Sequence, residues 1–175
     1  LYGDAFMDGA PDPFPDGYLS RLAASGVNAV WLQAVLYKMA PFPWDPSLSE
    51  GHEERLKNLA ALVARAKARG MGVFLYLNEP RAMQLAFYDK HPELKGAVEG
   101  DYAAMCTSDP AVQQYIASSV ALICDRVPDL RGFFTIAASE NLTNCWSHHT
   151  GQKCPRCSKR APDAVIAEVN ALIDG

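Results

Sequence analysis

The chain lacks a long hydrophobic run, an excess of positive charge, a nucleotide-binding glycine signature and any internal repeat. Each absence removes a class of function. No apolar stretch reaches the roughly 18 residues that a membrane-spanning helix needs, so a membrane is not an expected partner. Lys and Arg number 16 against 20 Asp and Glu, a net charge of -4. Without a basic footprint, nucleic acid is not an expected partner either. No G-x-G-x-x-G or G-x-x-x-x-G-K-[ST] follows an apolar run, which argues against phosphate-cradling nucleotide sites. No secretory leader pattern is visible. Leu1 is not an initiator methionine, so this expectation leaves room for an upstream segment. Cysteine is scarce and odd in number: five, three of them between Cys145 and Cys157. That count fits a disulfide framework poorly and fits a reducing compartment with a metal-binding loop better, so a cytoplasmic location is expected.

What is present reads as one globular domain, or a piece of one. The 175 residues are 49% hydrophobic and 21% charged, enough apolar material for a buried core. Leu1–Phe6 reads as the tail of a strand, followed by a proline-rich loop. Asp16 caps a short helix that Gly26 stops. VNAVWLQ, from Val27 to Gln33, is apolar nearly throughout, which predicts a strand buried on both faces. Ala34–Gly51 reads as a long loop carrying Tyr37, Phe42 and Trp44. His52–Arg69 places Leu56, Leu59, Ala60, Val63 and Ala66 at helical spacing, and Gly70 ends it. Val73–Leu77 is the next strand, and its tip reads Asn78-Glu79-Pro80-Arg81. Ala82–Tyr88 reads as a helical turn and Ala97–Cys106 as extended chain. A helix capped by Ser108 or Asp109 runs to Pro128. A strand over Phe133–Ala137 and a helix over Pro162–Ile173 complete the order. Strands alternating with helices predict parallel β/α units. Polar strand tips favour a TIM barrel over an open sheet, and a full barrel typically needs ~250 residues, so the 175 residues correspond to about its first half. Such a half exposes unpaired sheet edges, which the remainder of the barrel or another copy of the chain would cover.

The stretch Gly132–Ser158 carries the densest chemistry. Glu140 follows the strand and is the candidate general acid, because an apolar strand-end pocket raises a carboxyl pKa. Glycoside cleavage uses two carboxyl groups. Glu79 is a second strand-tip carboxylate, better suited to binding sugar hydroxyls, alongside Asn78, Arg81 and Asn141. Tyr37 and Trp44 could stack on a sugar face. A plain alternative is that these rings cover the core and that Glu140 is a loop acid. The loop 142–160 reads as an inserted metal element. Cys154-Pro-Arg-Cys157 is the short chelating knuckle of structural zinc sites. Cys145 and one histidine, His149 or alternatively His148, would complete a tetrahedral set. Four protein ligands imply structural zinc; three would leave a position to activate water. Free packed thiols or a disulfide are the plainer readings. Cys106 and Cys124 read as ordinary packed residues.

The series VNAVWLQ, GVFLYLNEPRA, CTSDPAVQQYI, GFFTIAASEN and CPRC resembles the N-terminal part of bacterial glycoside hydrolase-like barrels related to family 20 β-N-acetylhexosaminidases. The resemblance covers most of the chain through short motifs. It implies a hydrolase acting on carbohydrate, with Glu140 as general acid at the end of the fourth strand. The Asp that precedes that acid in the family is Ser139 here, a departure from substrate-assisted cleavage of an N-acetyl sugar. CPRC is similar to a cysteine-containing segment that follows the fourth strand in several relatives. The alternatives are a non-catalytic carbohydrate-binding or interaction domain with a structural zinc loop, and a zinc-dependent hydrolase.

Overall fold

A computed structural model describes residues 4–138 and 140–174. The chain divides into two compact units, Leu1–Tyr76 with Ala121–Phe134, and Leu77–Val120 with Thr135–Gly175. The fold is mixed α/β. Among the described residues, no helix is long and apolar enough to cross a membrane.

The first unit is built on a parallel three-stranded sheet. Its strands are β1 (Ala29–Ala34), β2 (Gly72–Leu77) and β6 (Gly132–Thr135), with β2 central. Helix α1 spans Asp16–Ala24, with Asp16 in its first turn rather than at the cap. Helix α3 runs His52–Lys67 and ends as expected before Gly70, whose φ is +72°. Glu53 and Glu54 in its first turn and Arg65 and Lys67 in its last suit the helix dipole. Leu56, Leu59, Leu62, Val63 and Ala66 of α3 are buried, as are Val73 and Leu75 of β2. The loop after β1 is more ordered than its composition suggests. It holds a short helix, α2 (Leu36–Met39), and a 3-10 turn over Pro46–Ser49 capped by the Asp45 carboxylate.

The expected burial of the Val27–Gln33 strand on both faces is corrected, and the neighbouring strands show the same one-sided packing. Trp31 is 57% and Phe134 48% exposed. Side chains alternate along β2, with Val73, Leu75 and Leu77 buried and Phe74 and Tyr76 only partly so. Only one face of this sheet is packed into the core. On the other, aromatic rings cover one another: Trp31 meets Tyr76 edge-on at 5.6 Å between centroids, and Phe74 stacks on Phe134 at 4.8 Å. A run of apolar residues is satisfied by this ladder as readily as by a second layer.

The second unit contains an antiparallel sheet that the alternating β/α reading did not anticipate. Its strands are β3 (Met83–Gln84), β4 (Lys95–Glu99) and β5 (Tyr102–Met105), in the order β3-β5-β4. The extended stretch over Ala97–Cys106 is a hairpin that turns at Gly100, where φ is +56°. Asp4–Phe6 form turns rather than a strand tail, and the rest of that expected strand, residues 1–3, lies outside the described residues. Helix α4 spans Pro110–Arg126, and Asp109 Oδ1 accepts the Ala111 amide at 2.9 Å, as its capping position predicts. Helix α5 spans Pro162–Asp174 and buries Val165, Val169 and Ile173.

Candidate metal centre and strand-tip site

The cysteine site assembles from three segments of the second unit. Cys106 lies directly after β5, where its amide donates to the Leu94 carbonyl at 2.8 Å. Cys145 lies in the loop after β6. That loop is fastened to the Ala137 carbonyl, which accepts from Thr143 Oγ1 at 2.9 Å, from Ser147 Oγ at 3.3 Å and from the Asn144 amide group. Cys154 and Cys157 flank the Pro155-Arg156 knuckle, where the Ser158 amide donates to the Cys154 carbonyl at 2.9 Å. The four sulfurs of Cys106, Cys145, Cys154 and Cys157 all lie within 4.8 Å of one another, and all four residues are fully buried.

The glycines explain how the backbone comes so close. A Cβ on Gly96 would stand 2.5 Å from Cys145 Sγ and 2.8 Å from the Ala104 carbonyl oxygen. A Cβ on Gly151 would enter the Trp146 indole. Both positions therefore need a residue without a side chain.

The spacing of the sulfurs fits a tetrahedral ion. A Zn–S bond of about 2.3 Å puts neighbouring sulfurs of a tetrahedron ~3.8 Å apart. Cys106 Sγ is 3.6 Å from Cys154 Sγ and 3.7 Å from Cys157 Sγ. These four buried cysteines could hold a metal ion, and thiolates suit a borderline-soft cation. Donors surround the sulfurs. The Ala97 amide reaches Cys145 Sγ at 3.4 Å, Arg156 Nε reaches Cys106 Sγ at 3.1 Å, and Ser108 Oγ lies 3.4 Å from Cys157 Sγ. Crowding separates the thiols electrostatically. Hydrogen bonding from Cys145, helped by Cys157 and Arg156, draws the Cys106 thiol down to about 6 against the opposing effect of Cys154. Cys145 is pushed far up, first by its hydrogen bond with Cys106. Cys154 is drawn down as Cys106 is, first by its hydrogen bond with Cys106, while Cys157 is pushed up as Cys145 is; a divalent ion would replace the protons that remain.

The structure brings three of the four expected ligands together. The fourth member of the cluster is Cys106 rather than His149. His149 is exposed, with φ +59°, and its amide donates to the Trp146 carbonyl at 3.0 Å. His148, the alternative, pairs through Nδ1 with Glu99 Oε2 at 2.7 Å. Cys106, expected to be an ordinary packed residue, is buried as a member of this cluster, and Cys124, expected likewise, is exposed on α4.

The strand-tip residues are distributed differently from the expectation. Asn78 and Glu79 follow β2 directly and are buried, 1% and 3% exposed. Glu79 Oε2 accepts the Arg81 amide at 3.1 Å, and Arg81 Nε lies 3.7 Å from Oε1. Asn78 Oδ1 is buried without a hydrogen-bond partner among the described residues. Among those residues Glu79 is the buried carboxylate, whereas Glu140 is exposed. Strand β6 stops at Thr135, so Glu140 belongs to the following loop, where Asn141 Nδ2 approaches its Oε1 at 3.4 Å. Ser139 lies outside the described residues. In the first unit, Tyr37 and Trp44 both pack against fully buried Phe42, at centroid distances of 5.8 and 5.2 Å. A cavity of about 620 Å³ in that unit lies at the N-terminal ends of β1 and β2, with Asn28, Gly72 and Arg131 in its lining.

No protein-family model matches the chain, and no curated protein sequence matches it. Among solved structures, the chain is similar to a noncanonic maltogenic alpha-amylase, AmyB from Thermotoga neapolitana. The identity is 19% and the TM-score 0.48, over 71% of this chain and 34% of that enzyme. The chain thus spans 34% of the length of the enzyme it matches.

Proposed function

We propose that this chain is a carbohydrate-acting β/α domain of the glycoside hydrolase type, with Asn78, Glu79 and Arg81 meeting sugar hydroxyls and a structural zinc ion held by the four cysteines. The observation that carries the first part is the buried pair after the central parallel strand. Asn78 offers an acceptor with no donor among the described residues, beside a buried carboxylate. Parallel sheets keep their chemistry at the C-terminal ends of strands, and a hydroxyl-rich ligand supplies the donor that Asn78 lacks. Glu140 is the proposed proton donor, and its partner carboxylate in a two-carboxylate cleavage would be Glu79 or a residue beyond this chain.

The test uses the whole protein that carries this chain. Glu79→Gln should abolish saturable binding of oligosaccharides measured by calorimetry, and Glu140→Gln should abolish release of an aryl leaving group while leaving binding intact. Unchanged turnover in Glu140→Gln sinks its assignment as the acid. The exposure of Glu140 favours a second reading, a carbohydrate-binding or interaction domain without catalysis. Binding by the wild type with no turnover of any glycoside would select it. Zinc as a catalyst is the weaker reading, because four buried thiolates fill a tetrahedral shell and leave no position for water.

A further inference from the structure

We propose that Arg156 is the positioning and charge-balancing residue of the cysteine site, holding the Cys106 sulfur and offsetting the surplus negative charge of four thiolates around a divalent ion. The proposal rests on the zinc reading given above. Four thiolates around a dication carry two surplus negative charges, and all four sulfurs are buried. Burying net charge is costly unless an opposite charge or hydrogen-bond donors accompany it. Arg156 supplies both, from inside the knuckle itself.

Its guanidinium is fixed at three points, on three residues of two segments. Nε donates to Cys106 Sγ at 3.1 Å. Nη2 donates to the Lys95 carbonyl, at the start of β4, at 3.1 Å. Nη1 pairs with Asp109 Oδ2 at 3.5 Å, while the other oxygen of that carboxylate caps α4. A planar fork reaches all three; an ammonium is a single point and does not. The remaining sulfur contacts come from neutral groups, the Ala97 amide and the Ser108 hydroxyl. Arg160 Nη1 reinforces the latter, donating to Ser108 Oγ at 2.8 Å. Arg156 thus ties the ligand taken from β5 to the knuckle that supplies two others. The plain alternative, a surface arginine serving only its ion pair with Asp109, leaves the contact with Cys106 Sγ unexplained.

The test is competitive zinc titration against a chromophoric chelator on the full chain, for wild type, Arg156→Gln, Arg156→Lys and Asp109→Asn. Partners of metal ligands are typically worth 10–100-fold in metal affinity. Arg156→Gln should keep one zinc per chain and bind it about 10- to 100-fold more weakly. Arg156→Lys should fall between it and wild type. Asp109→Asn retains an oxygen to cap α4 but frees Arg156, and should weaken binding in the same direction. With cobalt in place of zinc, Arg156→Gln should shift the sulfur-to-metal charge-transfer band to lower energy, because a thiolate without its N–H donor is more electron-rich. A merely structural arginine would not move that band. Zinc affinity of Arg156→Gln within twofold of wild type, with an unmoved cobalt band, overturns the role of Arg156 and leaves the zinc reading standing. A wild type that binds no zinc overturns both. If Arg156→Gln does not fold, Asp109→Asn decides: an affinity and band equal to wild type overturns the proposal.

Discussion

Replacing Cys106 with serine gives the sharpest test of the metal centre, because the sequence pattern and the tertiary structure name different fourth ligands. Structural zinc binding contributes ~10–16 kcal/mol in small metal-dependent modules near neutral pH. Shared over four ligands, that is about 2.5–4 kcal/mol each, or roughly two to three decades of affinity at 1.4 kcal/mol per decade. Cys106→Ser keeps the size of the side chain and removes the thiolate, so the loss falls on the metal rather than on packing. The variant should bind zinc 100- to 1,000-fold more weakly, on the same sharing of that energy. Its thermal unfolding should drop towards that of chelator-treated wild type. His149→Ala and Cys124→Ser should bind like wild type, since both residues are exposed and neither belongs to the cluster. Metal content by mass spectrometry, chelator competition and thermal scans with and without chelator supply the measurements. Wild-type zinc affinity in Cys106→Ser, together with loss in His149→Ala, would refute the tertiary assignment and restore the histidine.

Four further outcomes follow from other contacts. Gly96→Ala would drive a methyl into Cys145 Sγ and the Ala104 carbonyl. It should destabilise the chain by ~1–3 kcal/mol and weaken zinc binding in parallel, read by urea titration and chelator competition. Arg55 is nearly buried and donates to Asp4 Oδ2 at 2.9 Å and to the Lys38 and Glu50 carbonyls at 3.2 and 2.6 Å, so Arg55→Ala should cost about 3–5 kcal/mol in urea unfolding. Burial raises the Asp4 carboxyl, but hydrogen bonds from Arg55 and Lys38 outweigh it and hold the group below its ordinary 3.8. A carboxyl depressed in the folded state stabilises the protein above its unfolded pKa of ~3.9 and loses that contribution as the pH falls through the lower folded value. Stability curves of wild type and Asp4→Asn should therefore converge below about pH 4 and separate above it. Asn78→Leu removes a buried acceptor that has no partner among the described residues, so it should leave stability unchanged or raise it by up to ~2 kcal/mol while abolishing sugar binding. Loss of stability in that variant would show that Asn78 is already satisfied.

Much of the fold was legible in local pattern. Helix α3 announced itself by apolar spacing and a terminal glycine, α4 by its Asp109 cap and Pro110, and α5 by its buried stripe. These features act over one or two turns of helix, so the sequence carries them directly. The strands were legible as apolar runs, but their burial was not. Whether Trp31 and Phe134 face a second layer or the rings of β2 depends on what packs above the sheet. The β4–β5 hairpin was missed because Ala97–Cys106 has little alternation, although its two-residue turn, Gly100-Asp101, is a hairpin-type dipeptide.

At the sites, the residues themselves pointed to Cys145, Cys154 and Cys157 as a metal-type set, since a short chelating spacing is a local property. Only tertiary structure could supply Cys106. It lies on a different segment, and the hairpin register and the loop fastened at Ala137 carry it to the other three. Only tertiary structure, likewise, separated two glutamates that read alike. The carboxylate of Glu79 is enclosed directly after β2, whereas β6 ends before Glu140 is reached. Burial and convergence are sums over distant segments, and no single stretch of sequence contains them.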